Sequence, residues 1–144
     1  MAECKNIMVY VETAEGNPVK VGLEMLSPAK KLADKVTAVV IGGGVADAAK
    51  EVAKAGADQV ICVDSEDYKE FNLDAYAQVL VELVKEENPE AVFVGGTQDG
   101  KDIAPVVAAK CNTGCASDVL DIKAEDGEVI YTCPLYGGTV LEDV

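Results

Sequence analysis

Residues 36–63, VTAVVIGGGVADAAKEVAKAGADQVICV, decide the fold. Val36 to Ile41 is a run of branched and small apolar residues, Gly42-Gly43-Gly44 interrupts it, and a second such run, Gln59 to Val63, follows Gly56. Between the two, Val45, Ala48, Ala49 and Val52 recur at helical spacing, so Val45 to Ala55 reads as a helix stopped by Gly56. A strand, a helix and a strand in this order form a βαβ unit, whose strands lie parallel and are joined by a right-handed crossover.

The same alternation continues outward. Ile7 to Glu12 precedes the unit and Ala91 to Gly95 follows it, each a β-like run separated from its neighbours by helical stretches. The pattern predicts an α/β fold: an open, mainly parallel sheet with helices on both faces. The first helix is expected over about Pro18 to Ala33, opened by Pro18 and capped by Asn17. Pro28 then produces a kink, in preference to a second short helix capped by Ser27. Another helix opens at the cap Asn72, carries Leu73, Tyr76, Ala77, Leu80, Leu83 and Val84 on one stripe, turns Glu82, Glu86 and Glu87 to water, and ends at Asn88-Pro89. The next is expected over about Asp102 to Cys111, with Pro105 in its opening turn. Beyond it the pattern changes to strands: Ser117 to Lys123 and Glu128 to Leu135, joined by a tight turn at Glu125-Asp126-Gly127, read as antiparallel edge strands. Thr139 to Val144 reads as one more strand, cut off and left as an unpaired edge that favours self-association.

The 144 residues suit a single domain, 1–144, and 49% hydrophobic residues supply a sizeable core. With 26 acidic against 12 basic residues the net charge is −14, and the sequence contains neither arginine nor histidine. Nucleic acid and anionic membrane surfaces are therefore excluded as partners, because both need clustered positive charge. No apolar run is long enough to span a bilayer, which argues against membrane insertion, and the first residues carry acids where a signal peptide carries an apolar stretch, which points to the cytoplasm. Without histidine the Ser-His-Asp and Cys-His arrangements cannot be built, so no catalytic constellation is expected.

In an open parallel sheet, ligands bind beyond the carboxyl ends of the strands where the strand order reverses. The loop after the Ala91 to Gly95 strand is such a place: Gly96, Thr97, Gly100 and Lys101 combine backbone N–H groups, a hydroxyl and a cation at a helix start, suited to a phosphate or a flavin oxygen. The more generic alternative is a sharp strand-to-helix turn in which Asp99 caps the helix and Lys101 is solvated. Gly42-Gly43-Gly44 lacks GxGxxG spacing and reads as a plain turn. The five cysteines, Cys4, Cys62, Cys111, Cys115 and Cys133, are odd in number and form no disulfide framework; Cys62 reads as a core residue. Cys111, Cys115 and Cys133 lack CxxC spacing, so no metal site is expected. Asp64-Ser65-Glu66-Asp67 reads as solvated surface, as does Asp118 with Asp121. Tyr136-Gly137-Gly138 permits close approach by another surface and is the candidate interface; the alternative is an ordinary turn.

Taken together, several motifs resemble the N-terminal domain of the electron transfer flavoprotein alpha subunit. They are Ile7 to Glu12 with Asn17-Pro18, Val39 to Gly44, Gly56 to Val60 with Tyr68, Gly96 to Ala109, Asn112-Thr113-Gly114, Ser117-Asp118-Val119 and Pro134 to Gly138. Val106, Cys133 and Thr139 stand where that family commonly has arginine, arginine and asparagine. The resemblance implies an adenine nucleotide alpha hydrolase-like fold and a heterodimer with a beta subunit. It also implies electron transfer between flavin dehydrogenases and an acceptor, with FAD carried chiefly by a C-terminal domain that this chain lacks. It further implies that the chain alone holds no FAD firmly, and that AMP or a second FAD sits on the beta-subunit side, within reach of Thr97 and Lys101. The rival is a stand-alone nucleotide-binding module resembling universal stress proteins, with the Gly-rich loops holding ATP or AMP.

Overall fold

A computed structural model describes residues 4–14, 16–89, 91–95, 97–111, 114–119, 121–125, 128–132 and 138–142. The strands of its main sheet are β1 (Cys4–Tyr10), β4 (Ala33–Gly42), β5 (Gln59–Asp64), β6 (Ala91–Gly95), β7 (Gly114–Val119) and β10 (Gly138–Glu142). Their order is β5-β4-β1-β6-β10-β7. The first four are parallel; β10 runs antiparallel to β6 on one side and to β7 on the other. Two small hairpins stand apart from this sheet, β2 (Thr13–Ala14) with β3 (Asn17–Pro18), and β8 (Asp121–Glu125) with β9 (Glu128–Thr132). The helices are α1 (Lys20–Glu24), α2 (Leu26–Leu32), α3 (Ala46–Lys54), α4 (Leu73–Glu87) and α5 (Gln98–Lys110).

Strand periodicity explains why both faces are covered. In β1 and the residue after it, Ile7, Val9 and Val11 enter one core with Met25, Leu26, Ala29, Ala48 and Val52 from α2, α3 and the turn before α2. Met8 and Tyr10 enter the other with Tyr76, Leu80, Ile103 and Val107 from α4 and α5. Successive side chains point to opposite faces, so a strand apolar at every position requires helices on both. This is the α/β architecture expected from the sequence, with the strand order reversing between β1 and β6.

Several local expectations are corrected. Asn17 and Pro18 do not open a helix; they pair with Thr13 and Ala14 in the β2–β3 hairpin, and α1 starts at Lys20. The stretch then breaks at Met25, giving two short helices instead of one kinked one. Ser27 does not cap the second: Pro28 falls at its third residue, where an N–H would lack an intrahelical partner anyway. Helix α5 begins at Gln98, four residues ahead of the expected Asp102, because Thr97 caps it through the Gly100 N–H at 3.0 Å; Asp99 lies in its first turn. Pro105 consequently sits inside the helix. Cys62 is exposed on the edge strand β5. The final strand, β10, is no free edge: it is hydrogen-bonded on both sides, and the edges of the main sheet are β5 and β7. Helix α4 follows the expected pattern, with Asn72 accepting from the Ala75 N–H at 3.0 Å and Asn88 closing it in the left-handed region at φ 48°.

Candidate functional site

The carboxyl ends of β1 and β6 meet at the reversal of strand order. Chain leaving β1 carries Glu12, chain leaving β6 carries Thr97, and the Thr97 hydroxyl donates to Glu12 Oε1. The same hydroxyl accepts from the Gly100 N–H, so one oxygen ties the end of the first strand to the start of α5. Gly100 is buried there, and a β-carbon on it would lie 2.1 Å from the Gly95 carbonyl oxygen and 2.9 Å from Glu12 Oε1. Only a glycine lets the helix come this close to the strand ends.

A cleft of about 390 Å³ opens at this point. Its walls include Tyr10, Glu12, Gly42, Gly43, Gly44, Lys69, Phe71, Tyr76 and Asp99. Gly44 adopts φ +70°, and its N–H donates to Asp64 Oδ1 at 2.8 Å, which fixes the turn after β4. Gly43 packs against the backbone of Lys69, where a β-carbon would meet Lys69 Cα at 3.1 Å. Tyr76, another lining residue, stands edge-on to Phe71 and Tyr68, with ring centroids 5.0 and 5.8 Å away, and its hydroxyl donates to the Tyr68 carbonyl.

The electrostatics of the cleft are set by its acids. Burial raises the pKa of Glu12, an effect opposed by the Thr97 hydrogen bond and reinforced by the nearby charge of Asp99. Burial, together with Glu12, Tyr76 and Asp99, pushes the Tyr10 phenol well above the ordinary tyrosine range. Among the described cleft residues only Lys69, which is exposed, carries positive charge.

The candidate residues read from the sequence are distributed as follows. Thr97 and Gly100 come together as above. Lys101 lies on α5 next to Gly100, with its side chain outside the described part, and Gly96, Tyr136 and Gly137 lie outside the described residues. Gly138 begins β10 and pairs with Gly95, which brings the candidate interface segment to the strand end that precedes the Thr97 loop. Sequence reasoning missed Tyr10, Glu12 and Asp99 as cleft residues, and took Gly42 to Gly44 for a turn away from any site. The signal for Glu12 was its position as the acid that ends an apolar strand beside the reversal point. Among the described residues no group of three or more potential ligand side chains is placed to hold a metal, and no helix is long and apolar enough to cross a membrane.

Residues 7–144 match the electron transfer flavoprotein domain. The chain is 36% identical to "Protein FixB" of Clostridium saccharobutylicum over 100% of its own length and 45% of that protein's. It is 36% identical to the electron transfer flavoprotein subunit alpha of Clostridium acetobutylicum over 99% of its length and 44% of the relative's. With the alpha subunit of Syntrophomonas wolfei the identity is 39% over 94% of the chain and 43% of that protein. The chain thus spans less than half the length of these curated relatives. The resemblance drawn from the order of its motifs holds: the chain belongs to the electron transfer flavoprotein family.

Proposed function

We propose that this chain is the docking half of an electron transfer flavoprotein alpha subunit, joining a beta subunit in a flavin-based carrier between flavin dehydrogenases and an acceptor. The observation that carries the proposal is the similarity of nearly the whole chain to proteins named as alpha subunits. In this reading residues 1–144 are one domain, and the surface offered to the beta subunit runs from the Gly96, Thr97, Gly100 and Lys101 loop to Tyr136, Gly137 and Gly138. The pairing of Gly138 with Gly95 supports that continuity. Thr97 and Lys101 are the candidates for reaching AMP or a second FAD on the beta-subunit side.

The cleft itself does not fit FAD. A dinucleotide brings a pyrophosphate, and among the described residues the walls meet it with Glu12 and Asp99 against one exposed lysine, in a chain without arginine. FAD in this reading is held elsewhere in the assembled protein. The chain acts as a carrier component and not as an enzyme, since it has no histidine to serve as a base near neutral pH. The cysteine usage and the acidic charge fit the cytoplasm.

The test is co-expression with the beta subunit and with the alpha subunit that contains this sequence. A complex that carries flavin absorbance and is reduced by a flavin dehydrogenase is expected. An alpha subunit that neither binds the beta subunit nor accepts electrons would overturn the proposal.

A further inference from the structure

We propose that the cleft between the carboxyl ends of β1 and β4 and the start of α5 is a binding site for an uncharged nucleoside, held through its hydroxyl groups by Glu12, Asp99 and Tyr10, and selective against the corresponding phosphates. The inference is independent of the electron-carrier reading.

Three observations converge on it. First, Tyr10 is only 2% exposed and is one of the residues that line the cleft, its phenol stands near Glu12, Tyr76 and Asp99, and it makes no side-chain hydrogen bond among the described residues. A buried phenol left unpaired destabilises the protein, and a ligand hydroxyl would recover that loss. Second, Glu12 uses only Oε1 for Thr97 and leaves Oε2 without a protein donor among the described residues, while Asp99 brings a second carboxylate to the same wall. Two carboxylate acceptors lining one cleft suit a vicinal diol such as that of ribose. Third, the aromatic pair Phe71 and Tyr76 and the glycines Gly42 to Gly44 line the same cleft, and its space of about 390 Å³ is at the small end of the range that encloses a ligand.

The charge decides which ligand. Helix α5 points its positive N-terminal end at this region, where a phosphate would ordinarily be held. Here that end already faces the protein's own carboxylate, Glu12, through Thr97. A phosphate placed there would meet Glu12 and Asp99, whereas a ribose or base donor would be accepted by them.

Calorimetric titration of the 144-residue chain with adenosine, guanosine, cytidine and uridine, each against its monophosphate, tests this. At least one nucleoside is expected to bind about tenfold or more tightly than its monophosphate, a difference of about 1.4 kcal/mol. Binding should shift the backbone amide signals of Gly42 to Gly44. Tyr10→Phe, which keeps the ring in the core, should weaken nucleoside binding about tenfold or more while the thermal midpoint of the free protein holds or rises, because the unpaired hydroxyl is gone. Glu12→Gln should narrow the preference over the monophosphate. Monophosphates binding as tightly as nucleosides, no nucleoside binding at all, or an unaltered affinity in Tyr10→Phe would each overturn the proposal.

Discussion

The Thr97 hydroxyl donates to the Glu12 carboxylate across 85 residues of sequence, at the one place in the sheet where the order of parallel strands reverses. This contact sets the chemistry of the cleft. It supplies the carboxylate with a donor while burial and Asp99 work against its ionisation.

Glu12 therefore makes stability depend on pH in a definite direction. Its folded pKa lies above the ordinary 4.5, so between that value and the raised one the folded state holds more proton than the unfolded chain. Stability from this group is fully present below 4.5 and is lost as pH rises through the folded pKa. Glu12→Gln retains an acceptor for Thr97 and should remove that slope, raising the thermal midpoint at pH 7 by about 2–4 °C. A midpoint series from pH 4 to pH 8 on both proteins checks it; parallel curves would contradict the assignment.

Asp58 behaves in the opposite sense. Its Oδ1 accepts from Lys30, and its Oδ2 accepts from the Val36 N–H at 2.8 Å, which together hold its pKa below the ordinary 3.8. The stability it contributes is present above 3.8 and lost as pH falls through the depressed value. Both carboxylate oxygens are used, but the lysine is exposed, so the backbone bond contributes more. Asp58→Ala should cost about 1 kcal/mol in urea unfolding at pH 7, and Lys30→Ala less than about 0.5 kcal/mol. Equal costs for the two would reverse that ranking.

Two glycines near the cleft should respond differently to the same change. A β-carbon on Gly44 meets open space but must accept φ +70°, so Gly44→Ala should cost about 1 kcal/mol. Gly100 lies in a helix, where alanine ordinarily gains about 1 kcal/mol, but its β-carbon would collide with the Gly95 carbonyl. Gly100→Ala should therefore cost more than Gly44→Ala, by thermal midpoint or by loss of soluble protein. A stabilised Gly100→Ala would mean that α5 can shift away from the strand end.

The difference in what could be read from the sequence follows from the range of the interactions. The parallel strands were legible because burial on both faces keeps residues 7–11, 38–41 and 92–94 continuously apolar, while the edge strand β5, half-buried at most, is apolar over residues 60–63. Helix α4 was legible because its cap, stripe and stop all lie within one stretch. By contrast, the use of Asn17-Pro18 in a hairpin depends on Thr13 and Ala14 being free to pair. The place of β10 between β6 and β7 depends on partners far along the chain. The cleft was half legible: the Thr97 loop announced itself by composition, whereas the pairing of Thr97 with Glu12 arises only once β1 and β6 lie side by side.

Pro105 tests the start of α5 from a different side. With Thr97 as cap, Pro105 is too far into the helix to occupy one of the positions whose N–H would go unused. It withholds the donor that the Lys101 carbonyl would otherwise receive, and its ring presses on that carbonyl. Against this, proline restricts the unfolded chain, which is worth about 0.4–1 kcal/mol to the folded state. Residue 105 is exposed, so replacing its ring leaves no buried cavity. The helix effect is the larger of the two, about 3 kcal/mol in the interior of a helix. Pro105→Ala is expected to raise stability by about 1 kcal/mol in urea unfolding, with slower amide exchange along α5. A destabilised variant would mean that the Lys101 carbonyl has a better partner than the restored N–H, and that the proline shapes the helix that carries Lys101.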